Sequence, residues 1–211
     1  MDIQTIPIFS DGIFCINLDN IDNDQLAWFA HDLTEKMASD DRRTTQRDGG
    51  IQQTFRLGWN PEADHLIHEI REVGNAIMTD AYGIDRNMHD LGVTPWVNID
   101  VPGHHHVPHT HPGAMYCCVY TVKCDTPTRL VFHRPNEHAL AEWIWRMSDG
   151  ENYNAQPNSE FLAAESVLHP EAGDLVFFPP YLAHSVDPYK GEGERITIAM
   201  NFSNHGTWKL I

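Results

Sequence analysis

The sequence is short of cysteine, of positive charge and of long apolar runs, and each shortage removes a class of protein. Four cysteines in 211 residues do not make a disulfide scaffold, and no Cys-x-x-Cys pair of the zinc-holding kind is present. Cys117 and Cys118 are adjacent. On a strand their side chains leave opposite faces, so a bond between them would be strained, and reduced, packed thiols are expected. Lys and Arg number 14 against 30 Asp and Glu, a net charge of −16. Such a field repels phosphate backbones and anionic lipid, which counts against nucleic-acid and membrane-surface roles. No apolar stretch approaches the roughly eighteen residues of a membrane span. The opening residues Met1-Asp2-Ile3-Gln4 carry no basic segment followed by an apolar one. A cytoplasmic protein is expected. No internal repeat or low-complexity segment is present.

Histidine is what the chain has in plenty, and it is bunched. Five of the fourteen fall in the nine residues His104-His105-His106-Val107-Pro108-His109-Thr110-His111-Pro112. Neutral imidazole suits Fe, Zn, Cu and Ni, and residues i and i+2 of an extended backbone point the same way. If the segment runs as strand, His109 and His111 become two adjacent ligands. His104, His105 and His106 are expected to form a solvated rim.

Before this segment the pattern is mixed. Apolar positions alternate over residues 1–20, which suggests one or two short strands. From Asn23 the period becomes helical, with Leu26, Phe29, Ala30, Leu33 and Met37 on one stripe and Asp22, Asn23 or Asp24 as N-cap. The run 40–50 is polar and is expected as loop. A second helix is predicted to start near Pro61, with Leu66, Ile67, Ile70, Val73 and Ile77 on its apolar face and Gly83 at its end. His65 and His68, three apart on that helix, are read as surface residues. After Thr94 short strands separated by Gly and Pro indicate a β-sandwich or barrel. Candidates are 96–101, 115–123, 129–133, 161–168, 174–178 and 195–202. The segment 134–158, with Trp143, Trp145 and Tyr153, fits a lid over a substrate or a flap packed on the barrel. Residues 1–211 read as a single domain, 1–93 supporting a core at 94–211.

A lone histidine, His184, follows the buried-strand pattern of 174–178 and the rigid pair Pro179-Pro180. Eleven residues on, Arg195 opens a strand. Period-two alternation puts Arg195, Thr197, Ala199 and Asn201 on one face, and Ile196, Ile198, Met200 and Phe202 on the other. A buried guanidinium needs an anionic partner. The strand holds no Asp or Glu, so a bound carboxylate ligand is the expected one.

His109-Thr110-His111-Pro112, Gly173-Asp174-Leu175-Val176-Phe177-Phe178-Pro179, His184-Ser185-Val186 and Arg195-Ile196-Thr197 occur in the order and spacing of a known group. With Trp96-Val97-Asn98 and Val119-Tyr120, they make residues 95–202 resemble the 2-oxoglutarate/Fe(II)-dependent oxygenases, closest to a largely uncharacterised branch found in bacteria and phages. The resemblance implies a mainly β, double-stranded β-helix (jelly-roll, cupin-like) core with supporting N-terminal α-helices. His109 and His184 match two iron ligands. Arg195 matches the residue that binds the distal 2-oxoglutarate carboxylate, and Thr197 the hydroxyl beside it. His111 stands where most of the superfamily has Asp or Glu, and is read as the third ligand because this branch carries His-x-His. Tyr120 and Asn98 are candidates for further hydrogen bonds to 2-oxoglutarate. The branch's Ser-Gly and Tyr-Tyr are replaced by Cys117-Cys118 and Tyr120-Thr121.

The expected activity is that of an Fe(II)/2-oxoglutarate-dependent dioxygenase. It would hydroxylate a small-molecule or peptide substrate and decarboxylate 2-oxoglutarate to succinate. A cupin-like three-histidine metal protein, either a dioxygenase without co-substrate or a small-molecule binder, is the rival. Three histidines favour the rival, and Arg195 with Thr197 favours the oxygenase. Homodimerisation is left open.

Overall fold

A computed structural model of the chain describes residues 12–37, 44–47, 50–85, 87–136 and 163–204. Among these residues eleven strands form two antiparallel sheets. In chain order they are β1 (Phe14–Asn17), β2 (Thr44–Arg47), β3 (Gly50–Thr54), β4 (Leu91–Asp100), β5 (His106–His109), β6 (Tyr116–Lys123), β7 (Leu130–His133), β8 (Glu165–Leu168), β9 (Asp174–Phe178), β10 (His184–Val186) and β11 (Arg195–Asn204). The larger sheet runs β1-β9-β6-β11-β4-β3-β2 and the smaller β5-β10-β7-β8. Helices α1 (Asn23–Met37) and α2 (Pro61–Ala76) accompany them. The arrangement is a mainly β, double-stranded β-helix fold. Among the described residues no helix is long and apolar enough to cross a membrane.

The larger sheet buries both faces, and alternation sorts the side chains. On one face Ile196, Ile198, Met200 and Phe202 of β11 join Tyr116, Cys118, Tyr120 and Val122 of β6. Leu26, Phe29, Ala30 and Leu33 of α1 and Leu66, Ile67 and Ile70 of α2 cover them. On the other face Cys117, Val176 and Phe178 meet Leu130 and Phe132 of the smaller sheet. Cys117 and Cys118 thus point to opposite sides, and all four cysteines are free thiols.

Both helices begin at side-chain caps. Asp22 accepts from the Gln25 amide at 3.0 Å, and Asn60, just before Pro61, accepts from the Ala63 amide at 3.0 Å. After α2 the chain continues through a wider turn, Ile77–Ala81, and stops where Gly83 adopts φ +64 and its amide bonds Thr79 O at 3.1 Å.

The expectation of loop over 40–50 needs correction. Thr44–Arg47 and Gly50–Thr54 form a hairpin that extends the larger sheet past β4, with Ile51 opposite Ile99 and Thr54 opposite Trp96. Polar composition hid it, and it suits strands at a sheet edge, where charge and polarity deter further pairing. Of the strand expected at 161–168, residues 161 and 162 lie outside the described residues and β8 begins at Glu165; the proposed lid or flap at 134–158 lies mostly outside them too.

Leu66 is fully buried between α2 and the sheet, whereas Trp28 is 63% exposed. Leu66→Ala should destabilise the chain by about 2–5 kcal/mol. Trp28→Ala should change stability by less than about 0.5 kcal/mol, with urea unfolding as the measurement.

Candidate metal and carboxylate site

Histidines from three places in the chain meet at one end of the smaller sheet. β5 pairs with β10 so that His109 lies opposite His184. His111 sits two residues past His109, outside the strand but tied to the turn before β10 by its amide, which bonds Pro180 O at 2.9 Å. The Pro179-Pro180 turn thereby positions His111 and His184 together. One potential ligand nitrogen from each ring lies within 4.8 Å of the others.

Backbone carbonyls orient two of the rings. His109 Nδ1 lies 2.8 Å from Val107 O and His184 Nδ1 lies 3.0 Å from Leu182 O. Each is a donor geometry that fixes the tautomer and leaves Nε2 with its lone pair. Nε2 of His184 faces Nε2 of His111 at 3.2 Å. A lone pair held at that distance from a second ring nitrogen calls for a proton or a cation between them. The donor set of three imidazoles fits Fe(II), Zn, Cu or Ni. His111 stacks on Trp96 with centroids 5.8 Å apart; burial, then the His109 charge, lowers its pKa, and the Asn201 side chain acts in the opposite sense, a role for Asn201 that the sequence alone does not assign. His184 is buried against Phe178, centroids 4.5 Å apart.

A polar row crosses the inner face of the larger sheet beside the rings. β11 pairs Thr197 with Asn98 on one side and with Thr121 on the other. Asn98 donates to Thr197 Oγ1 at 3.1 Å. Among the described residues Asn98 Oδ1 and Thr121 Oγ1 are buried with no hydrogen-bond partner, at a cost unless a ligand satisfies them. Tyr120 does not join this row, which corrects the expectation for it. It points to the helical side, fully buried, with its hydroxyl on Asn23 Oδ1 at 2.9 Å. The alternation of β6 makes Thr121 the inward residue, and the polar Thr121 and Lys123 at odd positions were the available signal.

Two further expectations are overturned. Arg195 is buried but has a protein partner, because Asp100 lies directly opposite it in the register of β4 and β11. Its Nη1 donates to Asp100 Oδ2 at 2.6 Å. The carboxylate belongs to the neighbouring strand β4, which the sequence of β11 does not disclose. His104 and His106 are not a solvated rim. His104 is 7% exposed and half-buried His106 joins it on Asp100 Oδ1, at 3.1 Å from His106 Nε2 and 2.6 Å from His104 Nδ1. His105 is exposed. Burial alone would raise the Asp100 pKa. The His106 hydrogen bond and the charges of Arg195, His106 and His104 hold it well below the usual carboxylate range.

A cavity of about 570 Å³, bordered by Gln52, Trp96, His104, His106, His109 and His111, adjoins a narrower recess that reaches His184, Arg195 and Thr197. The histidine cluster and the Arg195 row therefore open onto connected space. His68 has Glu72 and His89 for neighbours, with His89 Nε2 on Glu72 Oε1 at 2.6 Å, but these lie on the surface.

Burial, with help from His109, His111 and His106, pushes the His184 pKa down to about 4 against the pull of the Leu182 carbonyl. The unfolded chain takes up that proton near pH 6.5, so the metal-free fold has its full stability above about 6.5 and loses it as pH falls toward 4. The loss amounts to about 3 kcal/mol at most. The Asp100 carboxylate adds to it only further into acid. Thermal unfolding of the metal-free chain should show the midpoint falling between about pH 6.5 and 4, and His184→Gln should flatten that fall.

Residues 94–201 match the family described as "Putative 2OG-Fe(II) oxygenase". No curated protein matches the sequence. Among solved structures, a prolyl-4-hydroxylase from Pseudomonas putida is 14% identical, covering 93% of this chain and 95% of that one with TM-score 0.60. AviO1 from Streptomyces viridochromogenes Tue57 is 15% identical over 93% and 91% of the two chains, TM-score 0.59. HygX from Streptomyces hygroscopicus, determined with nickel and 2-oxoglutarate bound, is 10% identical over 92% and 84%, TM-score 0.55. Likeness at these identities is likeness of fold, and the family match spans half the sequence. The chain belongs to the 2OG-Fe(II) oxygenase family.

Proposed function

We propose that this chain is an Fe(II)/2-oxoglutarate-dependent dioxygenase that hydroxylates a small-molecule or peptide substrate. His109, His111 and His184 would hold the iron. Arg195, Thr197 and Asn98 would hold 2-oxoglutarate. The observation that carries the reading is the joining of two features in one space: a converging set of ring nitrogens, and a buried row in which Asn98 Oδ1 and Thr121 Oγ1 have no partner among the described residues. Iron, when bound, supplies oxygen activation and the oxidative decarboxylation of the 2-oxo acid to succinate.

The protein's part is placement and charge. Three neutral imidazoles leave a bound Fe(II) at +2, which a 2-oxoglutarate dianion balances. Arg195 spends Nη1 on Asp100. A guanidinium has five N–H donors, so it can hold Asp100 and still offer donors to a distal carboxylate. Thr121, rather than Tyr120, is the inward hydroxyl of β6 and joins the candidates for hydrogen bonds to the co-substrate. The unpartnered Asn98 oxygen suits a water or substrate hydroxyl. A co-substrate-free cupin-like protein has no use for a cation and a hydroxyl at this depth.

Because Arg195 is paired, Arg195→Met alone would strand a buried carboxylate, at about 3–5 kcal/mol to the fold. Asp100→Asn/Arg195→Met removes both charges together. Losing the charge-assisted anchor, also worth about 3–5 kcal/mol, should weaken 2-oxoglutarate binding by roughly two to four decades while the histidine cluster still binds iron. Titration calorimetry of 2-oxoglutarate into Fe(II)-loaded parent and variant measures this. No binding to the parent, or equal binding to both, would sink the reading.

A further inference from the structure

Three donors converge on Asp100, more than an ion pair with Arg195 requires. The residue is 1% exposed, and the Arg195 bond to Oδ2 already neutralises it. Yet both His104 Nδ1 and His106 Nε2 are aimed at the single remaining oxygen, Oδ1, at 2.6 and 3.1 Å. The two rings stand at 77° with centroids 5.0 Å apart. One ligand atom from each of Asp100, His104 and His106 lies within 4.8 Å of the others. Ligand atoms about 2.1 Å from a common ion stand roughly 3 Å apart when adjacent, so small ring movements would seat an ion among them.

The local fold is built to keep this convergence. Just past β4 the chain turns at Gly103, φ +88, and the His104 amide closes the turn on Val101 O at 2.9 Å. Tyr189 clamps the turn from outside through two backbone bonds, Gly103 N to Tyr189 O at 2.8 Å and Tyr189 N to His104 O at 2.9 Å. Gly50 of β3 supplies the room, since a Cβ there would overlap the His104 ring.

We infer that Asp100, His104 and His106 form a second site for a divalent transition-metal ion, separate from the His109–His111–His184 cluster. Two imidazoles and one carboxylate suit Fe(II), Co, Ni or Zn. The carboxylate is ionised, and its outer oxygen is fixed by Arg195 in the way that hydrogen-bonded partners orient metal ligands. His104 and His106 border the larger cavity, so an ion has an entry path and water has room to complete its shell. Binding requires each ring to turn an unprotonated nitrogen to the ion and to carry its hydrogen on the other nitrogen. The adjacent guanidinium opposes a cation, and the Asp100 charge lies between the two, in a chain of net charge −16. Such an ion would sit beside the carboxylate anchor of the proposed reaction and add positive charge there.

Co(II) is the probe, counted per full-length chain by titration and by metal analysis after gel filtration. The parent should bind two ions. His104→Gln/His106→Gln should lose one of them, and His109→Ala/His184→Ala should lose the other. A single ion that survives in His104→Gln/His106→Gln and vanishes in His109→Ala/His184→Ala overturns the second site and leaves the first. The reverse pattern upholds the second site and overturns the first. Should either variant fail to fold, anomalous scattering from Co(II)-soaked crystals of the parent decides. A peak enclosed by Asp100, His104 and His106 supports the site, and its absence at full occupancy of the other cluster overturns it.

Discussion

Strand β11 is hydrogen-bonded along its length to β4 on one side and β6 on the other, and its register governs the rest of the molecule. It sets Arg195 opposite Asp100 and threads Thr197 between Asn98 and Thr121. It also turns Ile196, Ile198, Met200 and Phe202 toward the helices, all fully buried. A slip of one residue would bring four apolar side chains into the cavity and drive a guanidinium into the helical core. The buried apolar face enforces the register, and the register then delivers the polar face to the site. Stability and chemistry are two sides of one strand.

The smaller sheet depends on a different constraint. β5 and β10 are short, of four and three residues, and have little apolar surface of their own. The Pro180 carbonyl bond to His111, the Val107 and Leu182 carbonyl bonds to the rings, and the packing of Phe178 and Phe132 against His184 hold them in place. Carbonyl-oriented rings of fixed tautomer need little reorganisation to accept an ion.

Much of this is legible in the sequence where a pattern is local. Helical periodicity locates α1 and α2, alternation locates β11 and both of its faces, and the strand expected at 174–178 has those boundaries in the fold. The convergence of His109, His111 and His184 follows from motif order rather than from any local rule. What stays hidden is long-range. Asp100 and Arg195 are 95 residues apart, and only strand pairing reveals them as partners. The polar hairpin of β2 and β3 carries little apolar signal because it is an edge. Chemical type favours Tyr120 over Thr121 as a ligand to the co-substrate, and the one-residue parity of β6 decides otherwise. The burial of His104 and His106 depends on Asp100, on the Gly103 turn and on the space left by Gly50, none of which a histidine count discloses.

The most direct test of the proposed centre is a crystal structure of the unaltered chain grown without oxygen in the presence of Fe(II) and 2-oxoglutarate. The metal is predicted on His109, His111 and His184, with the 2-oxo acid reaching from it to Arg195, which keeps its bond to Asp100. A structure in which iron avoids those three rings, or in which 2-oxoglutarate lies away from Arg195, would contradict it.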